Sequence, residues 1–265
     1  MATCNGEAFV AEQISSILRQ LTPEDELIIS DDDSTDDTVS IIQSFDDPRI
    51  RFYGVRFNSL VKNFEFALSK SDGAYIFLSD QDDIWLENKI SVMLDHLQNF
   101  DLVASNALVT NKYGEVLFPF YKYASSDMNS KNVMWKIFRA PTSGCCMAFK
   151  RSLLKKIHPF PRNMYMHDRW IWALACIYAS TVIIDDPLIL YRRHENNATN
   201  TDGKDPVLLG KSQVTLAEKI RIRYILAKAL LLKLLVRKRA AAWLIIVNSS
   251  LQLIYWPVLI SRFHT

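Results

Sequence analysis

Short apolar runs alternate with amphipathic stretches along the first hundred residues. Short apolar runs bounded by polar turns predict buried strands, whereas apolar positions at helical spacing predict helices. This pattern predicts strands at residues 26–30, 50–55 and 74–78, and helices at residues 7–20, 38–45, 63–69 and 86–99. Strands and helices that alternate in this way predict an α/β fold with a mainly parallel central sheet flanked by helices.

The pattern loosens after residue 100. It predicts strands at 102–109 and 181–191, the latter interrupted at Pro187, a polar and aromatic loop at 119–135, and a small-residue segment at 143–149. Residues 200–213 are polar and rich in glycine and proline, which predicts a boundary. We therefore expect one domain over residues 1–200 and a helical tail over residues 201–265.

The 265 residues are 49% hydrophobic and 23% charged, as expected for one large domain with an appendage. The net charge of +2 hides an asymmetry, because residues 215–265 carry nine Lys or Arg against the single acid Glu218. The remainder of the chain is net acidic, which argues against nucleic acid as a partner.

The four cysteines show no CxxC spacing, so neither a zinc site nor a disulfide framework is predicted. The first residues, MATCNGEAFV, lack the basic start and long apolar core of a secretory signal. Both observations favour a cytoplasmic location.

Two acidic segments follow predicted strands: SDDDSTDDT at residues 30–38 and SDQDDIW at residues 79–85. In α/β folds ligands bind beyond the carboxyl ends of the strands, so both segments are expected on one rim. The carboxylates of Asp80, Asp82 and Asp83 repel one another and are costly to desolvate. A hard divalent cation shared with a phosphorylated substrate would stabilise them.

The first acidic segment has two alternative interpretations. A calcium-binding loop needs Gly at its sixth position and Glu at its twelfth, where this chain has Asp36 and Ile42. That alternative fails. A solvated turn in which Ser34 or Asp36 caps the next helix stays open beside a functional role.

Five ordered motifs together resemble the family 2 glycosyltransferases. They are ATCNGE at residues 2–7, ISDDDSTDDT at 29–38, SDQDDIW at 79–85, HDRW at 167–170 and YRRHENN at 191–197. The last two are similar to motifs of a bacterial, rhamnosyltransferase-like subgroup. The resemblance covers roughly residues 1–200 and implies a GT-A-like fold, a nucleotide-sugar donor, and Mg²⁺ or Mn²⁺ as cofactor.

The resemblance also implies roles for individual residues. On the donor side these are Thr3 and Asp32 at the nucleotide, the polar pair Lys62 and Asn63, Asp80 at the ribose or the metal, and Gly144 beside the sugar or acceptor. Asp82 would ligate the metal together with Asp80, while Asp83 would tune the cluster.

The HDRW and YRRHENN motifs carry the remaining roles. Asp168 is the implied general base, supported by His167, and His194 is implied as a metal ligand or diphosphate contact. A purely structural His167–Asp168 hydrogen bond is the alternative for the first pair.

Two departures from the family stand out. The family begins with a complete apolar strand, whereas here the first motif follows Met1 almost directly, so we expect a missing or very short strand with exposed neighbouring edges. Ser59 occupies a position where the family has Gly, which would make that backbone less free.

The tail combines basic and apolar residues. From 217 to 239 Lys and Arg alternate with Ile and Leu, and residues 240–260 are apolar but interrupted by polar residues and Pro257. A helical hairpin packed on the domain is one interpretation. We favour peripheral attachment to an anionic membrane surface over a full span.

The sequence therefore predicts an inverting glycosyltransferase that moves a sugar, rhamnose from a dTDP donor by resemblance, to a surface glycan or lipid-linked oligosaccharide at the cytoplasmic face of a bacterial inner membrane. Two other functions are alternatives: a non-catalytic nucleotide-sugar-binding protein, and a Mg²⁺-dependent phosphatase or nucleotidyltransferase.

Overall fold

A computed structural model describes residues 1–121, 125–139, 142–162, 164–195, 197 and 216–236. The strands are β1 (Ala2–Thr3), β2 (Leu27–Asp32), β3 (Ile50–Val55), β4 (Tyr75–Phe77), β5 (Ile84–Trp85), β6 (Leu102–Thr110), β7 (Val116–Pro119), β8 (Met147–Lys150) and β9 (Thr181–Arg192). The helices are α1 (Val10–Leu18), α2 (Thr38–Gln43), α3 (Leu60–Lys70), α4 (Lys89–Asn99), α5 (Ser125–Asn129), α6 (Val133–Arg139), α7 (Leu154–Ile157), α8 (His167–Tyr178) and α9 (Leu216–Val236).

The strands form two sheets. Strands β1, β2 and β3 are parallel, with Leu27 opposite Ile50 and Thr3 opposite Asp31. The larger sheet has the order β4-β8-β6-β9-β5, with β7 paired to β6. Among the described strands of this sheet, β6 and β9 are the one parallel pair, and the other pairs are antiparallel. The parallel arrangement predicted from sequence thus holds for the first sheet, and the second is mixed.

Most predicted elements of the first hundred residues are found with shifts of a few residues at their ends. The predicted loop at 119–135 instead contains α5 and the start of α6. Strand β9 continues through Pro187, and its pairing with β6 shifts register where Asn106 lies opposite that proline. A proline cannot donate to the strand ladder, so the chain accommodates it as an irregularity rather than a break.

Helix α8 is apolar nearly all round and lies in the core. Trp170 and Trp172 are fully buried, and each indole N–H donates to a backbone carbonyl, that of Ile157 at 2.9 Å and that of Lys136 at 2.8 Å. Buried tryptophans with satisfied N–H groups fix the helix in one orientation. The first turn of α8 is thereby held rigidly at the edge of the core.

Helix α9 packs on the domain through part of its surface. Leu226 and Leu230 are buried in the same core cluster as α8, and Lys233 donates to the carbonyls of Ile157 and His158. This agrees with the packed-helix interpretation for residues 216–236. The predicted boundary at 200–213 and the apolar stretch at 240–260 lie outside the described residues.

The first strand is short, as expected, with two residues paired to β2. A cleft of about 470 Å³ lies between β2 and β4, lined by Leu27, Ile28 and residues 74–78. Within the described chain β4 pairs only with β8, so its other edge faces this cleft. The α-amino group of Met1 closes one end by donating to the Ile28 carbonyl at 2.6 Å, and burial lowers the pKa of that amine to about 5.

Candidate active site

A second cavity, of about 360 Å³, opens beyond the carboxyl ends of β1 and β2 and beside the loop after β4. Eight of the residues singled out from the sequence line it: Thr3, Asp32, Asn63, Asp80, Asp82, Gly144, His167 and Asp168. They come from six separate stretches of the chain. Lys62, Asp83 and His194 are not among the lining residues, and Lys62 points to solvent.

The first acidic segment is largely engaged in local hydrogen bonds. One carboxylate oxygen of Asp31 accepts from the hydroxyls of Thr3 at 2.8 Å and Ser34 at 2.6 Å. Asp36 accepts from the backbone N–H and hydroxyl of Thr38 at the start of α2. The N-cap of α2 is Asp37, which makes no side-chain cap hydrogen bond, so Asp36 binds the first helical residue from one position earlier. This contact coexists with a place for the segment at the cavity, through Asp32.

Asp32 organises the loop that precedes α3. Its carboxylate accepts the backbone N–H groups of Phe57, Asn58 at 3.0 Å and Ser59 at 2.8 Å. The resemblance implies that Asp32 contacts the nucleotide, but most of its hydrogen-bond acceptor sites are occupied by backbone N–H groups of the protein. It shapes the cavity wall through residues 57–59.

Ser59 does not restrict the loop as the sequence suggested. Its backbone is extended, with φ of −160°, and its hydroxyl accepts from the Lys62 N–H as the N-cap of α3. The left-handed conformation falls on the preceding Asn58, with φ of 49°, a residue type that tolerates it. A glycine is therefore unnecessary at position 59.

The loop after β4 and the end of β9 meet at Asp82. One oxygen of this carboxylate lies 2.9 Å from His194 Nε2 and 3.0 Å from the Asn197 amide nitrogen. The His194 ring stacks on Phe9 with centroids 4.4 Å apart. The structure therefore brings together Asp82 and His194, which were proposed as fellow metal ligands, as a direct pair.

The tightest potential metal-binding group within the described residues differs from the predicted trio of Asp80, Asp82 and His194. It consists of Asp80, Asp83 and Cys145, whose ligand atoms lie within 4.8 Å of one another. A hydrogen bond with Cys146, followed by burial and the charge of Asp83, raises the pKa of the Cys145 thiol well above its usual value. The sulfur therefore stays protonated and is a poor ligand for a hard cation.

The carboxylates of this region carry unfavourable charge when no cation is present. Burial, followed by the charges of Asp83, Asp82 and Asp168, raises the pKa of Asp80 well above its usual value. Burial and Asp82 likewise raise the pKa of Asp83 to about 7. One Asp83 oxygen accepts from the Arg192 N–H at 3.1 Å, and the other is buried without a partner in the described structure. Such a cluster fits a cation with oxygen ligands.

Asp168 lies in the first turn of α8, facing the same cavity. Its side chain is 6% exposed, and one oxygen accepts from the backbone N–H of Arg169 at 2.6 Å. No hydrogen bond joins it to His167, because both ring nitrogens of His167 lack a partner among the described residues. The structural alternative for that pair is therefore wrong.

Gly144 makes a close approach, but to a protein group. A Cβ atom at this position would come within 2.6 Å of His167 Nε2. The glycine is needed there because the imidazole ring occupies the space of a side chain. Gly144 also lines the cavity, so the prediction that its backbone lies beside a sugar stays a prediction. The observed steric reason for a glycine at this position is the His167 ring.

Two further residues at the cavity, Gln81 and Asn197, lie inside the SDQDDIW and YRRHENN motifs without having been predicted as site residues. Gln81 joins the loop after β4 to β1, as its amide accepts from the Cys4 N–H at 2.8 Å and donates to the Cys4 carbonyl at 3.0 Å. Asn197, described above, holds Asp82. The sequence feature that could have identified each of them is a side-chain amide within a motif rich in acidic residues or containing histidine.

Comparison with known proteins supports the same family. The profile of glycosyl transferase family 2 matches residues 1–158. The dTDP-rhamnosyl transferase RfbG of Shigella flexneri is 30% identical over 217 residues, which cover 74% of this chain and 72% of that protein.

Two further similarities extend the comparison. The UDP-Glc:alpha-D-GlcNAc-diphosphoundecaprenol beta-1,3-glucosyltransferase WfgD of Escherichia coli is 33% identical over 122 residues, covering 41% of this chain and about half (47%) of that protein. The crystal structure of S. aureus TarS 1–349 in complex with UDP-GlcNAc superposes with a TM-score of 0.62 at 18% identity, covering 95% of this chain and 79% of that one. The GT-A-like fold is thereby confirmed, and this chain belongs to glycosyl transferase family 2.

Proposed function

We propose that this protein transfers a sugar from a nucleoside diphosphate donor to a hydroxyl group of a glycan, with inversion at the anomeric carbon. The observation that carries the proposal is the single cavity that holds Asp168 together with Asp80 and Asp82. Asp168 would act as the base. Asp80 and Asp82 would hold a divalent cation that neutralises the charge of the diphosphate.

Asp168 is the proposed base. The acceptor oxygen forms a bond to the anomeric carbon as the bond from that carbon to the diphosphate oxygen breaks. The acceptor proton passes to the Asp168 carboxylate, and the bond electrons leave with the nucleoside diphosphate. Rigid placement of α8 by Trp170 and Trp172 holds this carboxylate in position.

Asp80 and Asp82 are the proposed metal-binding carboxylates, because both line the cavity. Asp83 is buried, does not line the cavity, and contributes negative charge to the same cluster. A bound Mg²⁺ or Mn²⁺ would neutralise charge that develops on the leaving diphosphate. His194 holds Asp82 through its Nε2 atom, so we assign it to positioning that carboxylate. Thr3, Asn63 and the loop organised by Asp32 form the proposed nucleotide side.

The proposed donor and acceptor are taken from the names of the similar proteins. The RfbG relative favours dTDP-rhamnose, while the WfgD relative makes UDP-glucose the first alternative and supports a lipid-linked acceptor.

Attachment to an anionic membrane surface is proposed for the part of α9 that does not pack on the domain. Ile220, Tyr224, Leu232 and Leu235 are exposed there beside the basic Arg221. Within the described ranges, no helix has both the length and the apolar composition needed to cross a bilayer. We place this attachment at the cytoplasmic face of a bacterial inner membrane.

A second candidate is a protein that binds nucleotide sugars without turnover, in which the same cavity holds a donor but no acceptor is used. Binding without transfer would identify this case.

The decisive experiment combines binding and turnover. Thermal shift is measured with dTDP, dTDP-rhamnose, UDP and UDP-glucose, each with and without Mn²⁺. Release of nucleoside diphosphate is then followed with a lipid-linked oligosaccharide fraction as acceptor. We expect Mn²⁺-dependent binding and turnover in the wild type, and turnover reduced at least about 100-fold in Asp168→Asn, the scale of general-base catalysis. Asp46→Asn, at an exposed carboxylate, is the control.

Three results would contradict the proposal. Full turnover by Asp168→Asn would remove the assigned base. Binding without any turnover in the wild type would favour the second candidate. Release of sugar phosphate or pyrophosphate would indicate phosphatase or nucleotidyltransferase chemistry.

A further inference from the structure

His167 forms part of the cavity wall between the proposed base and Gly144. The residue is 2% exposed, and its ring stacks on Phe64 with centroids 3.6 Å apart and planes inclined by 16°. Its position is therefore well defined by packing. Packing alone would be served equally well by an apolar aromatic side chain.

Neither ring nitrogen of His167 has a hydrogen-bond partner among the described residues. Burial lowers the pKa of this imidazole to about 4, even though the neighbouring Asp168 charge acts in the opposite direction. The ring is then neutral at physiological pH and presents one N–H donor and one nitrogen lone pair. Buried polar groups are normally satisfied, so two unsatisfied ones on a single ring require an explanation.

A second polar atom in the same wall is also without a partner. The Asn63 amide nitrogen donates to the Thr3 carbonyl at 3.1 Å, but its carbonyl oxygen is buried and unpaired within the described structure. By contrast His194, near the same cavity, has its Nε2 atom 2.9 Å from Asp82. The wall formed by α3 and the start of α8 therefore presents three unpartnered polar atoms, the two His167 nitrogens and the Asn63 oxygen.

The chemistry of the ring restricts what can satisfy it. A phosphate oxygen accepts hydrogen bonds but cannot donate one, so phosphate oxygens can serve only the ring N–H and never the nitrogen lone pair. A sugar hydroxyl can bond either nitrogen, because it both donates and accepts, and a second hydroxyl is needed to satisfy both. Because His167 is adjacent in sequence to the proposed base, a hydroxyl at this wall lies on the sugar side of the cavity rather than at the diphosphate.

We propose that His167 contacts the substrate by hydrogen-bonding a hydroxyl group of the sugar bound in this cavity, and so contributes to sugar specificity. The inference rests on the proposed function. The hydroxyl belongs either to the donor sugar or to the acceptor, and the experiment separates the two sources.

The test compares the wild type with His167→Phe, which preserves an aromatic ring on Phe64 but removes both nitrogens. His167→Gln, which restores one donor and one acceptor, is the second variant. His96→Phe, on helix α4 and away from the cavity, is the matched control. Dissociation constants for dTDP and dTDP-rhamnose, and KM for the lipid-linked oligosaccharide fraction, are measured for each protein.

If the donor sugar is the source, His167→Phe binds dTDP as the wild type does but binds dTDP-rhamnose about tenfold more weakly, as expected for loss of one hydrogen bond to a ligand. If the acceptor is the source, donor binding is unchanged and KM for the oligosaccharide fraction rises about tenfold. In either case His167→Gln recovers part of the loss. A merely structural role would weaken binding of dTDP and dTDP-rhamnose equally.

The inference is overturned if His167→Phe matches the wild type in all three constants, or if it loses dTDP and dTDP-rhamnose affinity in parallel. Should His167→Phe fail to fold, His167→Leu, which also lacks both nitrogens, is judged by the same comparison against the wild type, with a threefold or smaller change in every constant counting against the inference. Failure of the proposed donor is visible separately in the wild type. If wild-type protein binds dTDP-rhamnose no better than dTDP, the comparison is made with UDP-glucose and UDP, and absence of binding to every one of these overturns both proposals.

Discussion

The Asp82 carboxylate lies 2.9 Å from Nε2 of His194, although 111 residues separate the two along the chain. This contact joins the loop after β4 to the end of β9 and closes one side of the cavity. Both side chains are largely buried, with 14% and 7% of their surfaces exposed. A buried carboxylate held by an imidazole is oriented before any ligand arrives.

Replacing His194 with Phe should impair the activity that depends on a divalent cation. The stacking on Phe9 is kept, whereas the contact to Asp82 is lost. Loss of such an orienting partner typically costs 10–100-fold in metal affinity or activity. The measurement is the Mn²⁺ concentration for half-maximal turnover. An unchanged Mn²⁺ requirement and turnover rate would show that the contact is dispensable.

Stabilisation by a divalent cation should increase between pH 5 and pH 7.5. The folded-state pKa of Asp83 is raised to about 7, and that of Asp80 is raised in the same direction, so the folded protein retains protons that the unfolded chain has lost. The destabilisation of the folded protein by these carboxylates therefore grows as pH rises through this window. A bound cation offsets that cost only once the groups are ionised.

The corresponding measurement is the melting temperature with and without Mg²⁺ at both pH values. We expect the larger shift at pH 7.5, reduced in Asp80→Asn. Equal shifts at the two pH values would argue that the cation binds elsewhere.

Asp32→Asn should destabilise the fold, while Asp33→Asn should not. The Asp32 carboxylate accepts three backbone N–H groups, and the substituted amide can no longer accept at its nitrogen. Leaving a buried N–H unsatisfied costs about 1–3 kcal/mol. Asp33 forms an exposed ion pair with Arg56, whose loss costs at most about 1 kcal/mol. Urea denaturation of both variants tests the difference, and equal losses would refute the role of the Asp32 carboxylate.

Leu230→Ala should lower the free energy of unfolding by about 2–5 kcal/mol, because Leu230 is fully buried where α9 packs against the core. Leu232→Ala is a matched control two residues away, at an exposed position where a change within about 0.5 kcal/mol is expected. The two variants are compared by urea denaturation of the full chain. Similar stabilities would show that α9 does not pack on the domain in solution.

The order of most strands and helices up to residue 100 was predictable, because each element carries its own hydrophobic period and its own turn residues. The exception is β5, whose two residues are too few to show a period. Both acidic segments could be placed at strand ends for the same reason. The second sheet was less accessible to sequence reasoning, since the direction in which β8 and β9 pair with β6 depends on contacts between distant segments. The helices at 125–139 were missed because their short, aromatic-rich sequence has no clear period.

The candidate site shows the same division. The sequence motifs pointed to acidic residues, the HDRW motif, Gly144, Thr3 and Asn63, and eight of the residues identified in this way line one cavity. It did not reveal that Asp32 would be engaged by the loop at 57–59, or that Lys62 would face solvent. Those outcomes depend on how α3 packs against β2.

By itself, the sequence determined the α/β class, the strand ends at which carboxylates gather and the motifs of the family, because these depend on neighbouring residues. The tertiary structure alone decided that His194 pairs with Asp82 and that both nitrogens of His167 are left without partners. The physical reason is that hydrogen bonding of a buried side chain depends on what the packed core places within about 3 Å of it, and that neighbour comes from a distant part of the chain.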